Sequence, residues 1–234
     1  QTSRHSRSLG GKLVSLFELK RTQQAEGRAV SLFDHVLITS QTDKDALVSL
    51  VPKGNDTLPV TILPNGVDLE YFRRETDQPR DAETIVFTGK MSYHANISMV
   101  DYLIKEIMPK VWVKRPTARV LIVGKDPPQK VRDFAKNPLV QVTGTVDDIR
   151  PYLWTATLAV VPLVYGAGIQ NKILEGMASE TPVVTTSAAF SNLQGTPGVD
   201  ALIADTAEDF AEAILRLIEN QDLRLAVGQA GFRY

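Results

Sequence analysis

Lys172 and Glu175 follow the run Tyr165-Gly166-Ala167-Gly168-Ile169-Gln170-Asn171, and these residue types in this order suit a ligand that carries an anion and hydroxyl groups. Gly166 and Gly168 let the main chain approach a ligand with no side chain between. The apolar run Leu158 to Pro162 before them reads as a buried strand, and Ile173, Leu174, Met177 and Ala178 after them fall at helical spacing. The first N–H groups of such a helix have no partner within it and can face an anion. Lys172 adds a full positive charge in the first turn. Glu175, one turn further on, offers a carboxylate able to accept two hydroxyl hydrogen bonds. A tight turn leading into a helix with two solvated charges uses the same residues, so the loop alone leaves both readings open.

The elements that would position these groups alternate regularly from Thr84 onward. Strands are expected at 85–88, 119–123, 139–143, 158–161, 182–185 and 201–203, and helices at 95–114, 129–136, 147–155, 170–179, 207–220 and 222–229. Such alternation predicts an α/β fold, a Rossmann-like parallel sheet with helices on both faces. Ligands of open sheets of this kind bind beyond the carboxyl ends of the strands. Three ends are open to one: Gly89-Lys90, Gly144-Thr145-Val146 and the glycine loop. Upstream, residues 13–33 read as one helix or two and 36–39 as a short strand. Ser40 reads as the N-cap of a helix through Leu50, and 60–63 as a strand ended by the turn Pro64-Asn65-Gly66. The polar stretch Arg73 to Glu83 reads as a connector, Lys53 to Asp56 as a loop, and Gln1 to Gly10 as a frayed or loosely ordered end.

Composition excludes several classes. The 234 residues are 43% hydrophobic, enough for a substantial core. Lys and Arg number 26 against 27 Asp and Glu, a balance that gives no support to nucleic-acid binding. No cysteine is present, so there is no disulfide framework and no thiolate metal site, and His5, His35 and His94 are scattered. No apolar run reaches the roughly 20 residues that span a bilayer. The start at Gln1 reads as the cut end of something longer. The sequons at Asn55 and Asn96 are short enough to arise by chance. G-x-G-x-x-G after the first strand, the P-loop and G-x-S-x-G are all missing, which disfavours dinucleotide oxidoreductases, P-loop NTPases and α/β-hydrolases. Trp112 and Trp154 read as packing residues, His94 as a helix-start residue, and Asp147-Asp148 as a helix start rather than a catalytic pair.

Several spaced segments share a resemblance. Ile62-Leu63-Pro64-Asn65-Gly66-Val67-Asp68 with Tyr71-Phe72 resembles the "PNGVD…F" segment of GT-B glycosyltransferases. Val86-Phe87-Thr88-Gly89-Lys90, Val120 to Gly124 and Val142 to Val146 resemble the first three strands of their nucleotide-sugar domain. Asn171 to Val184 is similar to the "LEAMAxGxPVV" signature of the group 1 retaining branch, and the wording "GIQNKILE" with "TGTVDDIRPYL" is similar to an exopolysaccharide- and exosortase-associated subgroup. The match runs from about Leu32 to the end.

The resemblance implies roles. Lys90, Lys172 and Glu175 are the groups expected to carry catalysis: Glu175 holds the donor ribose hydroxyls and Lys90 neutralises the diphosphate. Gly89, Gly166, Ala167, Gly168, Ile169 and Gln170 belong to the loops facing the sugar and diphosphate, and Gly144 and Val146 bracket the base. The donor is then a nucleoside-diphosphate sugar, with no metal or other cofactor expected, because cations and amides stabilise the charge on the departing diphosphate. Two features depart from the family. Ala167 stands where an earlier Glu commonly handles the donor sugar. Ser92-Tyr93-His94-Ala95 lacks the usual second basic residue, whose part Lys172 is expected to take.

The implied organisation is a tail of the N-terminal acceptor domain over 1–72, a connector over 73–83 and the C-terminal nucleotide-sugar-binding domain over 84–234. The expected activity is hexosyl transfer with retention in bacterial polysaccharide or glycoconjugate synthesis. The acceptor, a sugar or lipid-linked sugar, is reached through the rest of the N-terminal domain. The expected location is cytoplasmic, with peripheral contact at the inner membrane face for the full-length protein. The chain alone is expected to bind nucleoside diphosphate weakly and to transfer no sugar. Two alternatives stay open: a non-catalytic nucleotide-sugar-binding module, and an epimerase or phosphorylase of the same architecture.

Overall fold

The computed structural model describes residues 9–30, 32–51, 60–75, 79–166 and 168–234. They divide into two units, one of residues 1–65 with 165–169 and the other of 66–164 with 170–234. The first unit holds α1 (Leu9–Val30), β1 (Val36–Ile38), α2 (Gln41–Leu50) and β2 (Val60–Ile62). The expected loop at 53–56 and nearly all of the expected frayed end at 1–10 lie outside the described residues; Leu9 and Gly10 open α1. Strands β1 and β2 pair in parallel around α2, a βαβ arrangement. Ser40 caps α2 as its type and place predict: its Oγ accepts from the Asp43 N–H at 3.1 Å and donates to the Asp43 carboxylate at 2.7 Å. Gly27 marks where α1 meets α2, since a Cβ there would lie 2.1 Å from the Leu50 carbonyl oxygen.

The second unit begins with α3 (Leu69–Phe72), a single turn whose cap is Asp68. Then come β3 (Thr84–Thr88), α4 (His94–Tyr102), α5 (Met108–Lys114), β4 (Arg119–Val123), α6 (Gln129–Arg132) and β5 (Val140–Gly144). They are followed by α7 (Arg150–Thr155), β6 (Leu158–Val161), α8 (Asn171–Ala178), β7 (Val183–Thr185), α9 (Ser187–Phe190), β8 (Leu202–Ile203), α10 (Ala207–Glu219) and α11 (Gln221–Arg233). Every strand of the sheet is parallel and their order is β5-β4-β3-β6-β7-β8. Strands β3, β6 and β7 are buried along their whole length, as their continuous apolar runs require of a sheet covered on both faces. The strand order reverses between β3 and β6. At that point adjacent crossovers leave on opposite faces, and a crevice opens above the carboxyl ends.

Several elements differ from the periodicity: α3 and α9 are not among the expected helices, and the helix expected at 129–136 ends as a 3-10 turn over Asp133–Lys136. The helix expected at 95–114 is interrupted by a π turn over Leu103–Ile107. Buried residues recur every four positions at Asn96, Val100, Ile104 and Met108. In an ideal helix of about 3.6 residues per turn, four-residue steps drift roughly 40° each, and a wider turn absorbs the drift. The helix expected at 147–155 begins only at Arg150, because the Asp148 carboxylate accepts from the Arg150 N–H at 2.9 Å and holds 147–149 as a turn. The helix expected at 222–229 extends over 221–233.

The stretch 73–83, with 76–78 outside the described residues, is bound to the second unit. The Arg80 guanidinium donates to the carbonyls of Leu153, Trp154 and Ala156 at the end of α7, and to those of Ser179 and Glu180 after α8, at 2.8–3.2 Å. It also donates to the Thr181 hydroxyl at 3.1 Å. Burial, then the nearby Arg74, pushes the Arg80 pKa down to about 10, with Glu180 opposing; the group stays protonated at neutral pH. Two helix C-termini thus share one cation. Trp154 donates to the Phe72 carbonyl at 3.0 Å, and the Arg150 guanidinium sits 3.9 Å from the Tyr71 ring centroid, so α3 is tied to α7. Trp112 donates to the Ala118 carbonyl at 2.9 Å. Both tryptophans pack, as expected of them.

Arg80→Met would leave these carbonyls without their donor. It is expected to cost about 2–4 kcal/mol of stability, read from the midpoint of urea denaturation.

Candidate functional site

The rim of the crevice is built by two strand ends that lie close together. Beyond β3 and β4 the ladder continues into the loops, with Gly89 N–H donating to the Val123 carbonyl at 3.0 Å and Met91 N–H to the Lys125 carbonyl at 2.8 Å. Gly124 has φ 148°, and a Cβ there would meet the Gly89 oxygen at 1.8 Å. Gly89 has φ 152°, and a Cβ there would meet the Asn96 side-chain nitrogen at 2.7 Å. Glycine at both places lets the loops close together and leaves their side-chain surface to their neighbours.

Above this floor lies a cleft of about 230 Å³ lined by Thr88, Gly89, Lys90, Val123, Gly124, Lys125, Thr145, Val146, Ile149 and Glu175. It brings together five of the residues singled out in the sequence: Gly89, Lys90, Thr145, Val146 and Glu175. Lys90 and Lys125 are exposed at its mouth and Glu175 is partly buried. Gly144 ends β5 with φ 74°, immediately before the lining residue Thr145.

Lys172, a candidate site residue, is not part of the lining. Its ammonium donates to the Asn96 Oδ1 at 3.1 Å and the Gln170 Oε1 at 3.4 Å, and lies 5.7 Å from the Phe87 ring centroid. Burial holds its pKa below the usual lysine value, with Glu175 opposing. Burial likewise holds the Glu175 carboxyl above its usual value, with Lys172 opposing. Each charge is held out of water and is partly offset by the other.

The glycine loop belongs to the first unit by its contacts, apart from Gln170. Gly166 and Gly168 have φ 150° and 79°, a backbone that favours glycine, and Ile169 is partly buried. Ala167 lies outside the described residues. Helix α8 opens at Asn171 with no side-chain cap on Gln170.

Sequence reasoning missed Lys125, Ile149 and Asn96. Lys125 had a signal, since Gly124-Lys125 repeats at β4 the Gly89-Lys90 pair that ends β3. Asn96 had one too: a polar residue on the buried stripe of α4, 5% exposed. Its burial also leaves no room for a glycan at that sequon. Among the described residues no three His, Cys, Asp or Glu side chains gather to hold a metal ion. Among them too, no helix is long and apolar enough to cross a membrane.

Comparison with known proteins agrees with this geometry. The family model described as glycosyl transferases group 1 matches residues 82–220, the segment holding the whole sheet and the cleft. The chain belongs to the group 1 glycosyl transferases. No curated protein matches it significantly in sequence. Among solved structures it is similar to TarM, with TM-score 0.74 and 16% identity over 92% of this chain and 41% of that one. It is similar to sucrose-phosphate synthase from Thermosynechococcus elongatus, with TM-score 0.74 and 20% identity over 92% of this chain and 56% of that one. It is also similar to Anabaena HepE in complex with UDP and glucose, with TM-score 0.70 and 16% identity over 90% of this chain and 61% of that one. At these identities the likeness is one of fold, the GT-B type with its C-terminal Rossmann-like domain. The chain spans about half the length of these structures.

The raised Glu175 carboxyl has a pH consequence. Its folded form takes up a proton more readily than its unfolded form, so the stability it adds is full below the ordinary value of 4.5 and is lost as pH rises through the raised value. Glu175→Gln removes this titration. Urea denaturation between about pH 4 and 8 is expected to show a smaller decline in stability for the variant than for the parent chain.

Proposed function

We propose that the cleft binds the nucleoside-diphosphate part of a sugar donor, and that the full-length enzyme transfers the sugar with retention. The observation that carries this reading is one cleft, at the reversal of strand order, lined by both Lys90 and Glu175. Glu175 accepts from the ribose hydroxyls. Lys90, with Lys172 behind it, neutralises the diphosphate. Gly144 and Val146 bracket the base. The departing diphosphate gains negative charge in the transition state, and fixed cations stabilise it there with no metal required. HepE was solved with UDP and glucose, and pneumococcal GtfA with UDP and GlcNAc, which supports UDP as the first nucleotide to test.

The proposed setting is bacterial polysaccharide or glycoconjugate synthesis of the exosortase-associated kind, with a hexose as the transferred group. The acceptor is a sugar or lipid-linked sugar, and the enzyme works in the cytoplasm at the inner membrane face. Ala167, where the family commonly has an acid, favours one second reading: a module that binds the donor without transferring it.

Titration calorimetry tests the site. Glu175→Ala is expected to weaken uridine and UDP alike by about ten- to hundredfold, the worth of a carboxylate's hydrogen bonds at about 1.5–3 kcal/mol. Lys90→Ala is expected to weaken UDP and pyrophosphate and leave uridine unchanged. UDP binding indifferent to both substitutions would remove the assignment. Incubating donor with and without acceptor separates transfer from epimerisation and from binding alone.

A further inference from the structure

Asn96 is buried in the first turn of α4, where the apolar stripe that packs on the sheet would otherwise continue. A buried amide costs stability unless both its ends are paired, and both are. Its Nδ2 donates to the Lys90 carbonyl at 2.9 Å, and its Oδ1 accepts from the Lys172 ammonium at 3.1 Å. The side chain passes so close to Gly89 that a Cβ there would lie 2.7 Å from Nδ2. One amide therefore ties the loop after β3 to the helix after β6, across the reversal of strand order. Among the described residues the partners of Lys172 are the neutral side-chain oxygens of Asn96 and Gln170. An ammonium has three protons, and neutral acceptors hold two of them without cancelling the charge.

We infer that Asn96 is a positioning residue for the diphosphate: it holds the Lys172 ammonium and the Lys90 main chain in one arrangement, so that both cations meet the same ligand. This rests on the nucleotide-binding reading above. Asparagine suits the task. Aspartate would offer Lys172 a counter-charge and could not donate to the Lys90 carbonyl when ionised, and an aliphatic residue would leave the buried ammonium short of an acceptor.

The experiment is a double-mutant cycle read by calorimetry with UDP, inorganic pyrophosphate and uridine. Asn96→Ala is expected to weaken pyrophosphate and UDP about tenfold while uridine changes less than twofold. In a Lys172→Met background the same substitution is expected to cost less than threefold, because the cation it positions is gone. Asn96→Asp keeps the size and the acceptor and serves where the alanine variant folds poorly. It is expected to weaken pyrophosphate at least as much, since its carboxylate cancels the charge of Lys172. Equal losses for all three ligands, additive losses in the cycle, or unchanged pyrophosphate binding in Asn96→Asp would overturn the inference. A parent chain that binds neither UDP nor pyrophosphate would overturn the nucleotide reading and this inference with it. Pyrophosphate loss in Lys172→Met without loss in either Asn96 variant would overturn the inference alone.

Discussion

A parallel strand buried on both faces has no place for a charged side chain except at its ends. Strands β3, β6 and β7 obey this along their whole length, and it concentrates polar chemistry at the rim where the strands stop. The reversal of order between β3 and β6 then decides which ends can share a ligand. Lys90 follows one strand of that pair, and Lys172 and Glu175 sit on the helix that follows the other. The glycines at 89 and 124 complete the floor by letting two main chains approach more closely than any side chain permits.

The same rim shows how charges are kept useful once water is excluded. Lys172 and Glu175 each resist ionisation through burial, and each eases the other's penalty. Neither is neutralised by a direct hydrogen bond to the other; the ammonium is held by amide oxygens instead. Such an arrangement leaves the ammonium without a hydrogen-bonded counter-charge, which under the proposed function would limit the reorganisation a diphosphate requires. At the opposite end of α7 and α8, Arg80 satisfies main-chain carbonyls in a similar way, one cation serving two helices.

Much of this was legible in the residues. The six strands of the sheet were readable within one or two residues, because continuous apolar runs bounded by glycine, proline or charge have few other uses in an alternating chain. That Lys90, Val146 and Glu175 line one cleft was readable because each lies at or just beyond a strand's carboxyl end, or one turn into the helix that follows. What the residues hid was lateral. Nothing in the order of types says that Gly124 closes on Gly89, that Arg80 reaches α7 and α8, or that Asn96 turns toward Lys172. Those contacts join segments far apart in the chain, and periodicity reports only which face is buried. Asp148 misled for a local reason: its carboxylate competes with the helix for the Arg150 N–H, so the helix starts later than its acidic residues suggest.

The π turn at Leu103–Ile107 has a consequence for how this protein can change in length. It keeps Asn96 at one end of the long helix and Met108 at the other on a single buried stripe. Deleting one residue within that turn would restore ordinary winding and leave Asn96 and Met108 on the same face, because eleven steps of about 100° come to roughly three full turns. The wide turn is therefore the place in the long helix where one residue can be lost without rotating either end off the sheet.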